Sequence, residues 1–221
     1  MSVRARRRFT KNDGGLYLLT PPRVCLQTFP DALSRALEAG GVSCLQIRLK
    51  FSQDESRDSG RVWRECVGVL APLARRYGVS VLLNDDARLA GALGADGVHI
   101  GQQDDGMDAA RASVGEGIVG VTCHDSPELA HAAQASGADY VAFGSFFASR
   151  NKPDAVRAPL GILSHWREKG NIPCVAIGGI TAGNAADLLR AGADYLAVCE
   201  GVWGHADGPA AAVEEFAVLF G

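Results

Sequence analysis

The sequence predicts an α/β fold, a (β/α)8 TIM barrel in a single domain, and three observations carry that prediction. Short β-rich apolar runs alternate with Ala-rich amphipathic stretches to the end of the chain. One helix-to-strand joint recurs as Leu93-Gly94-Ala95-Asp96-Gly97, Ser136-Gly137-Ala138-Asp139-Tyr140 and Ala191-Gly192-Ala193-Asp194-Tyr195. Its glycine suits the left-handed end of a helix, and the small-Asp pair then turns the chain into the next strand. A length of 221 residues at 47% hydrophobic content supports one core of barrel size. An open doubly wound sheet would use the same units, but no early GxGxxG loop is present and the repeated joint favours closure.

The elements follow in order. Residues 1–13 read as a frayed basic N-terminal tail, because Arg4, Arg6, Arg7 and Arg8 lead into Phe9-Thr10-Lys11-Asn12-Asp13 rather than into the apolar core of a secretory signal. The barrel then occupies 14–221. Strand one, Leu16 to Leu19, precedes a helix from Asp31 to Ala39; strand two, Cys44 to Leu49, precedes a longer helix from Arg61 to Tyr77. Strand three, Val79 to Leu83, turns polar before a helix from Asp86 to Leu93, and strand four, Gly97 to Ile100, before one from Asp108 to Val114. Strands five to eight are Ile118 to Val121, Tyr140 to Phe143, Cys174 to Ile177 and Tyr195 to Val198. Their helices are Pro127 to Ser136, Leu160 to Lys169, Ala182 to Ala191 and Pro209 to Phe220.

Composition narrows the function classes. Net charge is −3, and after the first residues the basic side chains are scattered, so no broad face invites nucleic acid or a membrane surface. A small phosphorylated ligand caught by local cations fits better. Cys25, Cys44, Cys66, Cys123, Cys174 and Cys199 form no CxxC pair, and several sit in apolar runs, a usage that suits a reducing cytoplasmic setting. The longest apolar runs are strand-sized, too short to span a membrane. Assembly into a homo-oligomer stays open.

Chemistry collects at the C-terminal ends of the strands, where barrel enzymes place their sites. In Leu45-Gln46-Ile47-Arg48-Leu49-Lys50 the alternation of strand side chains puts Gln46, Arg48 and Lys50 on one face and the three apolar residues on the other. Charges pointing into a barrel are costly unless water or an anion meets them, so the polar face reads as an anion site; pairing with barrel carboxylates is the structural alternative. Strand three ends in Asn84-Asp85-Asp86 and strand four in Gly101-Gln102-Gln103-Asp104-Asp105. Asp86 is placed to cap the next helix, whereas Asp85 and Asp104 bring a carboxylate each to one rim, a hard-oxygen pair that suits Mg2+. After strand six, Ser149-Arg150-Asn151-Lys152 is rich in donors. After strand seven, Gly178-Gly179 lets backbone N–H groups approach an anion, and strand eight ends at Cys199-Glu200. Cys123 beside His124 has the composition of a thiol-base couple, but sequence neighbours usually point apart.

These residues resemble those of the thiamine phosphate synthase family, on Gln46-x-Arg48-x-Lys50, Asn84-Asp85, Asp96-Gly97-Val98-His99-Ile100-Gly101-Gln102-x-Asp104 and Gly178-Gly179-Ile180-Thr181. The resemblance runs from Leu16 to the last strand. It implies a Mg2+-dependent transferase that joins hydroxymethylpyrimidine diphosphate to thiazole phosphate with release of pyrophosphate. It implies Mg2+ on Asp85 and Asp104, and Gln46, Arg48, Lys50, Asn84, Thr122 and Lys152 around the pyrimidine diphosphate, with Arg48, Lys50 and Lys152 assisting departure of the leaving group. Thiazole phosphate would meet Ser149, Arg150, Asn151, Gly179, Cys199 and Glu200.

Three positions depart from the family pattern. The usual Thr-x-Thr-Lys run is here Ser149-Arg150-Asn151-Lys152, Leu49 replaces a frequent Glu, and Glu200 stands where a serine usually meets the phosphate. A carboxylate there repels phosphate unless it turns away. Two rivals follow: a thiazole tautomerase of the same superfamily, with His124 as its proton-transfer group, and a catalytically silent barrel that binds a thiamine precursor.

Overall fold

In the computed structural model, which describes residues 9–11, 13–52, 59–149 and 156–221, eight parallel strands close into a barrel in sequence order. The strands are β1 (Gly15–Leu19), β2 (Val42–Ile47), β3 (Ser80–Asn84), β4 (Gly97–Ile100), β5 (Ile118–His124), β6 (Tyr140–Phe143), β7 (Cys174–Ile177) and β8 (Tyr195–Val198). Around them lie α1 (Phe29–Glu38), α2 (Ser59–Arg76), α3 (Ala87–Ala92), α4 (Met107–Val114), α5 (Pro127–Ala135), α6 (Gly161–Lys169), α7 (Ala182–Ala191), α8 (Glu200–Trp203) and α9 (Gly208–Ala217). No helix among the described residues is long and apolar enough to cross a membrane.

Strand alternation sorts the side chains into two apolar cores. Leu45, Ile47, Leu49, Val81, Leu83, Val98 and Ile100 face outward and pack under the helices. Tyr17, Leu19, Cys44, Leu82, Tyr140, Val175 and Tyr195 face inward and fill the barrel. An interior filled by layers of side chains is expected of a closed eight-strand sheet. At Gly120 the added β carbon would lie 1.9 Å from Cζ of Tyr140, so this glycine gives the tyrosine its room.

The repeated joint has a stitching function beyond its turn. Asp96 accepts a hydrogen bond from Val81 N on its carboxylate (2.8 Å) and donates its own N–H to Val81 O (2.8 Å). Asp139 does the same with Val119 of β5, and Asp194 with Cys174 of β7. Each aspartate thereby ties the start of one strand to the start of its predecessor, at the N-terminal end of the barrel. Arg75 and Arg111 brace two of these carboxylates from outside.

Of the expected tail over 1–13, residues 1–8 and 12 lie outside the described residues, whereas Phe9, Thr10 and Lys11 are held against the barrel: Phe9 stacks on Tyr140 with ring centroids 4.4 Å apart and leans on Tyr195 at 4.7 Å. Thr10 exchanges hydrogen bonds with the Tyr195 hydroxyl, and Lys11 Nζ donates to the Gly170 carbonyl. An aromatic side chain entering a barrel floor lined by tyrosines buries more apolar surface than it would in water. The structure adds α8, a four-residue helix directly after β8 that is too short to show a hydrophobic period in sequence.

Candidate active site

The strand-two arm keeps its extended path beyond the end of β2. Thr20 N donates to Gln46 O (2.9 Å), Arg48 N donates to Thr20 Oγ1 (2.9 Å), and Lys50 N donates to Pro22 O (2.9 Å). The Thr20 side chain replaces a backbone partner where the ladder ends. Gln46 is therefore held inside the barrel, Arg48 is half-buried at the rim and Lys50 is exposed above it, while Leu49 is buried against the helices.

β3 and β4 deliver the acidic side of the mouth. Asn84 is buried at the last position of β3, in register with His99. Asp85 then adopts φ +70°, and its N–H donates to His99 O (2.8 Å). A left-handed aspartate costs energy that an ordinary loop would avoid, and such conformations concentrate at functional sites. Its Oδ2 lies 2.9 Å from Lys50 Nζ. Asp86 caps α3, its Oδ1 accepting from Leu89 N (2.8 Å), as its place in the sequence suggests. Asp104 folds back so that Oδ2 accepts from Gly101 N (2.7 Å), just past the end of β4. The structure thus gathers Arg48, Lys50, Asn84, Asp85 and Asp104 on three consecutive strand ends.

Among the described residues, no three His, Cys, Asp or Glu side chains gather as a metal cluster. Two carboxylates on neighbouring strands, one already pairing with an ammonium, are a donor set of the right kind for Mg2+. That ion binds through one or two carboxylates and leaves its other positions to water and phosphate oxygens.

β5 contributes Thr122, whose Oγ1 lies 2.8 Å from His99 Nε2, and whose carbonyl accepts from Gln102 Nε2 (2.6 Å). Cys123 and His124 do not form a couple. The Cys123 thiol is buried among the outward-facing apolar residues, and burial pushes its pKa up to about 12. A bulge separates Thr122 from His124, which pairs with Phe143 at φ +52°, and the histidine side chain is exposed whereas the thiol is buried.

On the other side, the loop after β6 lies across the end of β7. Phe146 N donates to Ile177 O (3.1 Å) and Phe147 N to Gly178 O (2.9 Å). A β carbon on Gly179 would stand 2.2 Å from Ala148 O, and one on Gly178 would stand 2.1 Å from Ser145 Oγ. Close passage of this loop thus requires both glycines, a reason for them that the sequence reading lacked, and it brings Ser149 beside the Gly179 turn. Arg150, Asn151 and Lys152 lie outside the described residues. Cys199 is the N-cap of α8, and Glu200 opens that helix. A β carbon on Gly204 would meet Glu200 Oε1 at 2.9 Å, so the carboxylate lies along its own helix over Gly204.

Tyr17, Thr20, Gln102 and Tyr140 are the parts of the site that sequence reasoning missed. Inward parity on β1 and β6 is the signal that could have found the two tyrosines.

Comparison with known proteins identifies the family. The family model for thiamine monophosphate synthase matches residues 16–202. A thiamine-phosphate synthase of Rhodospirillum centenum is 51% identical over 205 residues, covering 92% of this chain and 96% of its own. One from Hyphomonas neptunium is 47% identical, covering 93% of each chain. The solved thiamine phosphate pyrophosphorylase of Pyrococcus furiosus superposes with a TM-score of 0.81 at 32% identity, covering 95% of this chain and 96% of its own. A 3-hexulose-6-phosphate synthase at 18% identity and TM-score 0.66 shares the fold. On sequence and fold, the chain belongs to the thiamine monophosphate synthase family.

Proposed function

We propose that this protein joins 4-amino-2-methyl-5-hydroxymethylpyrimidine diphosphate to thiazole phosphate, releasing thiamine phosphate and pyrophosphate, in the cytoplasm and with Mg2+. The observation that carries the reading is the Lys50–Asp85 pair at 2.9 Å, set beside Arg48, Asn84 and Asp104 on adjoining strand ends. Asp85 and Asp104 would hold Mg2+, which when bound neutralises charge on the diphosphate.

Displacing pyrophosphate requires that the charge building on the leaving group be stabilised. Arg48 and Lys50 supply fixed positive charge on one wall, and Lys152 is assigned to the same task. The electron-rich aminopyrimidine supports positive charge at its exocyclic carbon, and the thiazole nitrogen then attacks there, so no protein nucleophile is required. A Cys123 thiol turned away from the mouth is compatible with that economy. Ser149, Arg150, Asn151, Gly179 and the Cys199–Glu200 turn are assigned to the thiazole phosphate. Glu200 Oε1 lies close to Gly204, which supports a carboxylate laid along its own helix. The tautomerase alternative needs His124 as its proton-transfer group and gives no task to Asp85, Asp104 and Lys152, and retention of those three counts against it.

The test is an assay of pure protein with both substrates and Mg2+. Thiamine phosphate and pyrophosphate are expected in equal amounts, and Arg48→Ala is expected to lower turnover on the order of 10²- to 10³-fold. An Arg48→Ala enzyme with parental turnover would overturn the assignment. Tight binding without product would favour the silent barrel.

A further inference from the structure

Inside the barrel, directly below the mouth, side chains from β1, β2, β4, β5 and β6 form one continuous hydrogen-bonded chain. Gln46 Nε2 donates to Tyr17 Oη (2.9 Å), and Tyr17 Oη lies 2.8 Å from Tyr140 Oη. Tyr140 Oη lies 2.8 Å from His99 Nδ1, and His99 Nε2 lies 2.8 Å from Thr122 Oγ1. Tyr17, Gln46, His99 and Tyr140 are buried, whereas Thr122 is partly exposed.

Such a chain has a direction. Burial, the largest cause in each case, holds both phenols well above their ordinary pKa, so each keeps a single hydrogen to give. An imidazole with one proton donates from one nitrogen and accepts at the other. Because Gln46 Nε2 donates into the chain, Tyr17 donates to Tyr140, Tyr140 to Nδ1, and Nε2–H to Thr122. The Thr122 hydroxyl hydrogen is then directed away from the chain. At the other end Gln46 Oε1 has no partner among the described residues. No enclosed side-chain oxygen among them is left unsatisfied, so this carbonyl opens to the space above. Reversing one link requires reversing all: the amide must turn over, the imidazole change tautomer and Thr122 rotate. An acceptor at Gln46 therefore goes with a donor at Thr122. The Cys44 sulfur beside Tyr17 is only a weak acceptor, so it does not draw the Tyr17 hydrogen away from Tyr140.

We propose that Tyr17, Tyr140 and His99 are positioning residues that lock this polarity, so that the mouth selects an amino-substituted heteroaromatic ring over its oxo counterpart. An aminopyrimidine offers N–H hydrogens from its amino group and a lone pair on the adjacent ring nitrogen. The 4-oxo ring reverses both, presenting a carbonyl and a ring N–H. The proposal rests on the reading of this mouth as a pyrimidine diphosphate site.

The experiment compares the parent with Tyr140→Phe and Tyr17→Phe, which keep the rings and delete one hydroxyl each. kcat/KM is measured for the 4-amino pyrimidine diphosphate and its 4-oxo analogue, with thiazole phosphate and Mg2+. Breaking the chain is expected to lower the amino-to-oxo preference by roughly tenfold or more, with the amino substrate losing and the oxo analogue holding or gaining. A purely structural role would depress both equally, and that outcome, or an unchanged ratio, overturns the lock. In parallel, 15N spectra of the ligand-free protein report the His99 tautomer, assigned by difference against His99→Gln. Nε2–H is expected, and Nδ1–H overturns the proposal. A parent that turns over neither substrate would count against the synthase reading, while the tautomer would still decide the lock.

Discussion

Replacing Asp96 by alanine isolates what the repeated joint contributes. Its carboxylate accepts the buried Val81 N–H at 2.8 Å and meets Arg75 Nε and Nη2, each at 3.2 Å. A charge-assisted hydrogen bond to a buried amide is worth about 1.5–3 kcal/mol, most of it the desolvation of an N–H that then finds no acceptor. The Arg75 side chain is 42% exposed, so water replaces the carboxylate and the ion pair adds only about 0–1 kcal/mol. The expected loss is about 1.5–4 kcal/mol, or roughly 3–16 °C in Tm at about 2–4 °C per kcal/mol for a chain of this size.

Two controls apportion that loss. Asp96→Asn keeps an oxygen for Val81 N–H and is expected to lose less than about half as much. Arg75→Ala is expected to cost no more than about 1 kcal/mol. Urea unfolding followed by circular dichroism measures all three, with turnover under native conditions as a check, since the joint lies at the end of the barrel opposite the mouth. If Arg75→Ala matched Asp96→Ala, the ion pair rather than the buried amide would be the stabilising contact, and the reasoning would be refuted.

The remaining predictions concern the cysteines and Glu200. Cys25 is exposed, and hydrogen bonds from the Thr28 side chain and the Gln27 backbone lower its thiol pKa, so it should alkylate first, with its rate rising at lower pH than in the unfolded chain. Cys123 and Cys174, each pushed by burial to about 12, should react with iodoacetamide at pH 8 only after unfolding; mass spectrometry of timed samples checks the order. Gly204→Ala places a methyl group 2.9 Å from Glu200 Oε1, so the carboxylate must move. If it moves toward the mouth, KM for thiazole phosphate should rise severalfold, and Gly204→Ala combined with Glu200→Ala should restore it; an unchanged KM in Gly204→Ala would show that the carboxylate has another way out.

The parts of this molecule that were legible in sequence depend on local periodicity. Gln46, Arg48 and Lys50 alternate with Leu45, Ile47 and Leu49, and that parity survives beyond the assigned strand because Thr20 continues the ladder. The Asp of the Gly-Ala-Asp joint was legible as a turn but not as a clasp, since its partner Val81 lies 15 residues back, a separation that no local pattern encodes. Phe9 was lost among arginines because a lone aromatic has no period; only the closed floor of Tyr140 and Tyr195 gives it a place. Gly178 and Gly179 were legible as small, yet what they admit is the loop after β6. The orientation of Glu200 was illegible because the room its carboxylate occupies comes from the missing side chain at Gly204, four residues on.

Phenylalanine at positions 17 and 140 would fill the barrel about as well as tyrosine and would bury no hydroxyl, so packing alone does not account for either residue. A buried polar chain is tolerable only when complete, because each unmet group costs about 1–3 kcal/mol and replacing both partners by apolar groups can be neutral. This chain is complete, with no enclosed side-chain polar atom unsatisfied among the described residues. Both its ends, Gln46 and Thr122, lie at the mouth, and Phe9 stacks against Tyr140 from the floor. With an aromatic ring below and two polar ends above, the chain's hydrogen-bonding consequences are delivered to whatever occupies the mouth. The aspartate clasps therefore add stability at the N-terminal end, and the polarity of the interior serves the other end, where a ligand's donors and acceptors must match it.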